Sequence, residues 1–129
     1  DAVRRILARD APSERLWRVR WYVFEQVPGA DAYPDVTVRN SDYAILQDGI
    51  TAARAWTTQS IAGADEVEVE TDPAYRRRGY ARQVVSAWAA GTLRAGKVAF
   101  YSHVMENEAS AGVARALGLR WLSDEVEYE

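Results

Sequence analysis

The sequence contains no cysteine. Disulfides, thiolate metal centres and a cysteine nucleophile are therefore excluded. Histidine occurs once, at His103. That removes multi-histidine metal sites and paired-imidazole chemistry, and no metal is expected. Lysine also occurs once, at Lys97, against fifteen arginines. With the abundant alanine, this reads as genome composition bias. No run approaches the ~20 apolar residues of a membrane-spanning helix. No charged stretch leads into an apolar run at the start, so no secretory leader is visible and a cytoplasmic location is expected. What remains is ordinary for a globular chain: 129 residues, 48% hydrophobic, 27% charged, formal charge −3. That length suits a single domain, and the composition argues against intrinsic disorder. The slightly acidic balance argues against a nucleic-acid partner, which would call for a basic stripe. The first residue is Asp1 rather than Met, which fits a trimmed chain or a piece of a longer one.

Residues 2–9 place Val3, Ile6 and Leu7 on one helical face. Residues 14–27 read two ways. Val19, Trp21 and Val23 alternate like a strand, while Leu16, Val19, Val23 and Val27 fit a helix capped by Ser13. The helix is the expectation. Residues 28–35, with Pro28-Gly29 and Pro34, read as loop. Residues 43–47 and 50–58 flank Asp48-Gly49, the preferred two-residue hairpin signal. A second turn is expected near Ala62-Gly63, followed by a strictly alternating strand, Glu66–Thr71. Residues 80–95 carry an apolar stripe of Ala81, Val84, Val85, Trp88, Ala89 and Leu93, predicting a helix stopped by Gly96. A strand over 97–102 follows. A second helix over 108–117 has Asn107 as N-cap and ends at Gly118. Leu119–Leu122 and Val126–Tyr128 look like short closing strands. The order predicts an α/β fold.

The segment Thr71-Asp-Pro-Ala-Tyr-Arg-Arg-Arg-Gly-Tyr-Ala81 joins a strand to a helix. The first N–H groups of a helix lack internal partners and sit at its positive end. Gly79 allows close backbone approach, and Arg76, Arg77 and Arg78 add positive charge. Together these form a candidate phosphate cradle. On charge alone, a solvated Arg run in an ordinary loop looks the same. Glu66, Glu68 and Glu70 share one face of a strand expected to be central, where apolar residues are usual. Such a row suggests a wet cleft, raised carboxylate pKa values and either a general base or a binding site for a cationic amine. Solvated glutamates on an exposed strand are the plainer alternative. His103 follows the next strand and is the one side chain whose unperturbed pKa lies near neutrality.

Arg76-x-x-Gly79-x-Ala81 resembles the Arg/Gln-x-x-Gly-x-Gly/Ala signature of the GNAT acyltransferase superfamily. Asn107-Glu-Ala-Ser110, with Ala114, Leu117, Gly118 and Leu119, is similar to that family's second block. The Thr71–Arg76 run followed by Asn-Glu-Ala-Ser looks particularly like the FR47-like and related subgroups. The resemblance covers about residues 43–122. It implies a single GNAT-like domain over 1–129, with 1–40 reduced or truncated, and a mixed, mostly antiparallel sheet with crossover helices on both faces. It implies acetyl-CoA as co-substrate, bound in a V between the strands 66–71 and 97–103. Val69, Glu70 and Thr71 would pair with the pantetheine arm. The Arg76, Arg77, Arg78, Gly79, Tyr80 and Ala81 segment would hold the pyrophosphate, with Asn107 and Ser110 near the arm. An amine would attack the thioester directly, with a base and an acid moving the protons.

One departure matters. Many members carry a tyrosine acid seven residues after the Asn, and here that position is Ala114. Ser110 or a water would have to stand in. The base is expected among Glu66, Glu68 and Glu70, with His103 as a further candidate. The leading reading is an N-acetyltransferase acting on a primary amine of a small molecule or peptide. The alternative is an acyl-CoA-binding module without turnover. A nucleic-acid-binding domain built on the arginines ranks third. A second copy, as a homodimer, is one way to complete an acceptor site from so short a chain.

Overall fold

Two tight hairpins begin the sheet. In a computed structural model that describes residues 16–26 and 33–128, β3 (Asp42–Gln47) turns into β4 (Ile50–Ile61) at Asp48 and Gly49, with φ of 52° and 76°. Two successive left-handed residues match the twist of antiparallel strands. The same device recurs at Ala62 and Gly63, with φ of 51° and 83°, leading into β5 (Ala64–Thr71). A short strand β2 (Thr37–Arg39) pairs with β3 at one end of the sheet. Helix α1 (Tyr80–Arg94) then leads to β6 (Val98–Val104), and α2 (Glu108–Leu117) leads to β7 (Arg120–Tyr128). Asn107 caps α2 by accepting from the Ser110 N–H at 3.0 Å, and Gly118, at φ 63°, ends it.

The segment expected to be a helix over 14–27 is instead β1 (Leu16–Val23). It lies between β6 and β7, antiparallel to both, in the order β2-β3-β4-β5-β6-β1-β7. Trp17, Val19, Trp21, Tyr22 and Val23 are residues that favour a pleated surface, and only an extended segment satisfies backbone groups on both neighbours. The two closing strands are also one continuous strand, β7. A bulge near Leu122 shifts its register, since Trp21 faces Ser123 while Tyr22 faces Trp121. The polar stretch Ser123–Glu125 looked like a gap, yet an edge strand tolerates polar side chains. Arg20 grips Asp124 there with two hydrogen bonds of 2.8 and 3.0 Å. The helix expected over 2–9 lies outside the described residues, as does most of the loop over 28–35.

The sheet is mixed and mostly antiparallel, with β5 and β6 as its parallel neighbours. The two described helices pack on one face rather than dividing between two, and they touch each other. Both crossovers advance in the same direction across the sheet, so right-handed connections place both on the same side. The core lies between. Val84, Val85, Trp88 and Ala89 of α1 meet Ile45, Ala53, Ala55, Val67, Ala99 and Tyr101 of the sheet. The alanines of β4 let the helix come close. Asp65, 6% exposed, accepts from Ser60 Oγ at 2.5 Å and from Lys97 Nζ at 3.4 Å, so the lone lysine compensates a buried charge.

Gly91 marks the tightest contact between helix and sheet. The Tyr43 hydroxyl occupies the space that a side chain at 91 would need. Gly91→Ala should gain helix propensity of about 1 kcal/mol but lose about 1–3 kcal/mol to overpacking. Urea unfolding should show a net loss in Gly91→Ala that Tyr43→Phe largely restores in the double variant. Additive losses would place the strain elsewhere.

Candidate active site

The parallel pairing of β5 with β6 covers only Ala64↔Val98, Asp65↔Ala99 and Glu66↔Phe100. Beyond it β5 continues to Thr71 and β6 to Val104, each still paired on its outer side, with β4 and β1. The two strands therefore separate into a V. A bulge in β4 lies at the same level: Thr57 faces Val67, but Gln59 faces Glu66, leaving Thr58 extra. Bulges bend and twist a strand pair locally, and this one turns β5 away from β6. The Asp72 N–H donates to Ala52 O at 2.8 Å, so Asp72 spends its backbone on β4. Strand alternation then turns Glu70 toward β4 as well, and points the N–H and C=O of Val69 and Thr71 into the V.

The chain leaves β5 through a turn fixed by Asp72, whose Oδ1 accepts from the Ala74 N–H at 2.9 Å. A 3-10 turn, Pro73–Tyr75, follows. Arg77 and Gly79 are both left-handed, with φ of 66° and 78°. Gly79 is the N-cap of α1 and brings no side chain to it. The N–H groups of Tyr80, Ala81 and Arg82 are thus left for a ligand or water. Arg76, Arg77 and Arg78 are exposed. The Arg78 guanidinium lies 5.0 Å over the Tyr75 ring, and the Tyr75 hydroxyl donates to Asp48 Oδ2 at 3.3 Å. The Arg82 guanidinium closes over Gly79 and would meet a Cβ there at 3.5 Å. The cradle has the backbone donors and the charge that a pyrophosphate requires.

Period-two alternation separates the catalytic candidates. Glu66, Glu68 and Glu70 share the sheet face away from the helices, with Trp56 opposite Glu68 and Phe100 opposite Glu66. Ser102 Oγ donates to Glu66 Oε2 at 2.6 Å, bridging β6 to β5 where they part. Burial pushes the Glu66 carboxyl above its ordinary range; the Ser102 hydrogen bond pulls the other way, and Glu68 and Glu125 add to the rise. Partial burial, then the Glu70 charge, also raise Glu68. Glu68 accepts no hydrogen bond among the described residues. Glu70 is exposed and lies 4.0 Å from Arg54, whose guanidinium stacks 3.8 Å over Trp56.

His103 and Ser110 sit on the other side. His103 is buried beneath α2, and its Nδ1 faces Val104 O at 2.8 Å, so Nδ1 carries a proton. Its Nε2 meets the Tyr22 hydroxyl at 3.0 Å, and the two rings stack. Both nitrogens are engaged, and the structure does not bring His103 to the glutamates. Ser110 gives its N–H to Asn107 and its C=O to the Tyr101 hydroxyl, at 3.0 Å each. The Asn107 side chain is thereby spent on capping α2. Nothing in the sequence marks Ser102 as a site residue, and Tyr101 reads there as a packing residue. Ser102 follows Phe100 at the strand period, but that signal carries weight only once the β5–β6 register is known. A cavity of about 590 Å³ lies apart from the carboxylates, between the helices and the end of β1. It shares only Arg82 with the cradle.

The raised Glu66 carboxyl has a consequence for stability. Between its ordinary value of 4.5 and its higher folded value, the native state binds more protons, so stability falls as pH rises through that window. Glu66→Gln keeps an acceptor for Ser102 and removes the buried charge. Its melting temperature at pH 7 should equal or exceed that of the wild type, and the advantage should vanish below about pH 4. A wild type that melts higher at pH 7 would show the charge to be stabilising.

The GNAT acetyltransferase family model matches residues 40–125, and that span includes the V, the cradle and Asn107. The match is to the family as a whole and does not reach the FR47-like subgroup. No curated protein matches the sequence. Solved structures share the fold. A GNAT-family structure from Novosphingobium aromaticivorans superposes with a TM-score of 0.77 at 18% identity, covering 91% of this chain and 67% of that one. A GCN5-related N-acetyltransferase-like protein from Streptococcus suis gives 0.66 at 16% identity, covering 98% and 66%. A GCN5-related N-acetyltransferase from Sphaerobacter thermophilus gives 0.65 at 14% identity, covering 99% and 55%. This chain thus spans about two thirds of the first two and little over half of the third. By the family match over the segment that forms its V and its cradle, the chain belongs to the GNAT acetyltransferase family.

Proposed function

We propose that this chain transfers an acetyl group from acetyl-CoA to a primary amine of a small molecule or peptide, as a single cytoplasmic domain. The observation that carries the reading is the V between β5 and β6, which opens beside the side-chain-free N-terminus of α1. In this reading the amides of Arg77 to Ala81, with Arg76 and Arg78, hold the pyrophosphate. Val69 and Thr71 offer their free backbone groups to the pantetheine amides, as in strand addition. The thioester supplies an activated acyl carbonyl.

Glu68 is the base best supported. It lies beside the V, its pKa is raised by partial burial, and it accepts no hydrogen bond among the described residues. A base nearer neutrality still accepts the ammonium proton but is a stronger base than an ordinary carboxylate. Glu66, tied to Ser102, holds the second carboxylate of the acceptor face. The new C–N bond forms as the C–S bond breaks, and the amine proton passes to Glu68. Ala114 is buried, and the resemblance matches it to the family's tyrosine-acid position, so in this reading the thiolate leaves without a phenol. Ser110 or a water is left to supply that proton.

Calorimetric titration of acetyl-CoA tests the cofactor site. Wild type should bind in the micromolar range. Ala81→Glu should lose at least about tenfold in affinity while keeping or raising the melting temperature, because an acid in the first helical turn favours the helix but repels phosphate. No binding by folded wild type would sink the reading. Amine-dependent release of free thiol then tests turnover, and Glu68→Gln should lower its rate by about 100-fold or more. Binding with no thiol release across an amine panel would leave an acyl-CoA-binding module.

A further inference from the structure

We infer that the width of the V is set by two hydrogen bonds, one joining the sheet to each helix, and that Thr57 and Tyr101 are positioning residues for the ligand between its arms. The inference rests on the acyl-CoA reading of the V. On the β5 side, the last regular pair before the β4 bulge is Thr57↔Val67. There Thr57 Oγ1 accepts from Trp88 Nε1 of α1 at 2.9 Å. Trp88 is 1% exposed and wedged in the core, so it holds the bulge at a fixed height. On the β6 side, Tyr101 is the first residue beyond the last parallel pair, Glu66↔Phe100. Its ring is 2% exposed and packs edge-on against Tyr22 and His103. Its hydroxyl donates to Ser110 O in the first turn of α2, a turn locked in place by Asn107.

The strand that backs the β5 arm and the β6 arm itself are therefore tied to different helices, and the helices touch each other. Burial pushes the Tyr101 phenol up to about 12, so it stays a donor across any working pH. The geometry matters because a strand-like ligand must meet an arm at ~4.8 Å spacing. Hydrogen bonds weaken within a few tenths of an ångström of misplacement. Loosening either tie spoils both rows of contacts while leaving the core in place.

The test is acetyl-CoA titration into wild type, Tyr101→Phe, Thr57→Val and Tyr22→Phe, all well below the melting temperature of the weakest. Tyr101→Phe and Thr57→Val keep the shape and lose one hydrogen bond each; each should weaken binding about fivefold to tenfold. Tyr22→Phe removes a hydroxyl of the same cluster, one bonded to His103 rather than to a helix, and should leave the affinity unchanged. Wild-type affinity in both strut variants overturns the inference, even if they melt lower. Should wild type bind no acetyl-CoA, the acyl-CoA reading fails, and amide exchange decides the struts. Exchange along Val67–Thr71 and Tyr101–Val104 should accelerate in both strut variants but not in Tyr22→Phe. Equal exchange in all four overturns the struts.

Discussion

The parallel pairing of β5 with β6 lasts three residues and then stops, because an extra residue in β4 bends β5 away. Everything that makes this sheet more than a scaffold follows from that break. Past it, Val69 and Thr71 point backbone groups into a gap instead of at a neighbour. Unpaired backbone is costly when buried, so a gap of this kind persists only where solvent or a ligand satisfies it. The continuation of β5 delivers the chain to the uncapped start of α1, so the backbone donors of the strand and those of the helix border one opening.

The same alternation that builds the sheet sorts its chemistry. One face of β5 and β6 carries Val67, Val69, Ala99, Tyr101 and His103 beneath the helices; the other carries Glu66, Glu68, Glu70 and Ser102. Glu66 and Glu68 on the uncovered face keep partial access to water yet are desolvated enough to sit above their ordinary range. His103, on the covered face, is hydrogen-bonded at both nitrogens and works as a core residue. A face with aromatic rings and carboxylates beside an open backbone is the surface on which the proposed amine acceptor would sit.

Much of this was legible in the residues. Asp48-Gly49 and Ala62-Gly63 announced their hairpins, since two left-handed residues in succession admit few alternatives. The stripe of α1 and the Asn107 and Gly118 caps of α2 marked both helices to within a residue. The Arg-rich turn was legible as the link from a strand to a helix, and Gly79 stands at the start of that helix. Residues 16–23 misled, because Val19, Val23 and their neighbours satisfy both periods, and only the slot between β6 and β7 demands a strand. Ser123–Glu125 misled because polarity ends a buried strand but not an edge one.

What the sequence by itself determined was local: turns, caps, helical stripes and the alternation that lines up Glu66, Glu68 and Glu70. Each depends on residues a few positions apart, whose geometry the backbone dictates directly. The tertiary structure decided which distant strands meet and in what register. That choice set Ser102 against Glu66, turned His103 to the opposite face, and brought the hydroxyl of Tyr101 to Ser110. A register slip of one residue would exchange the two faces of a strand, and the energy that forbids it is the burial of one whole face against α1 and α2.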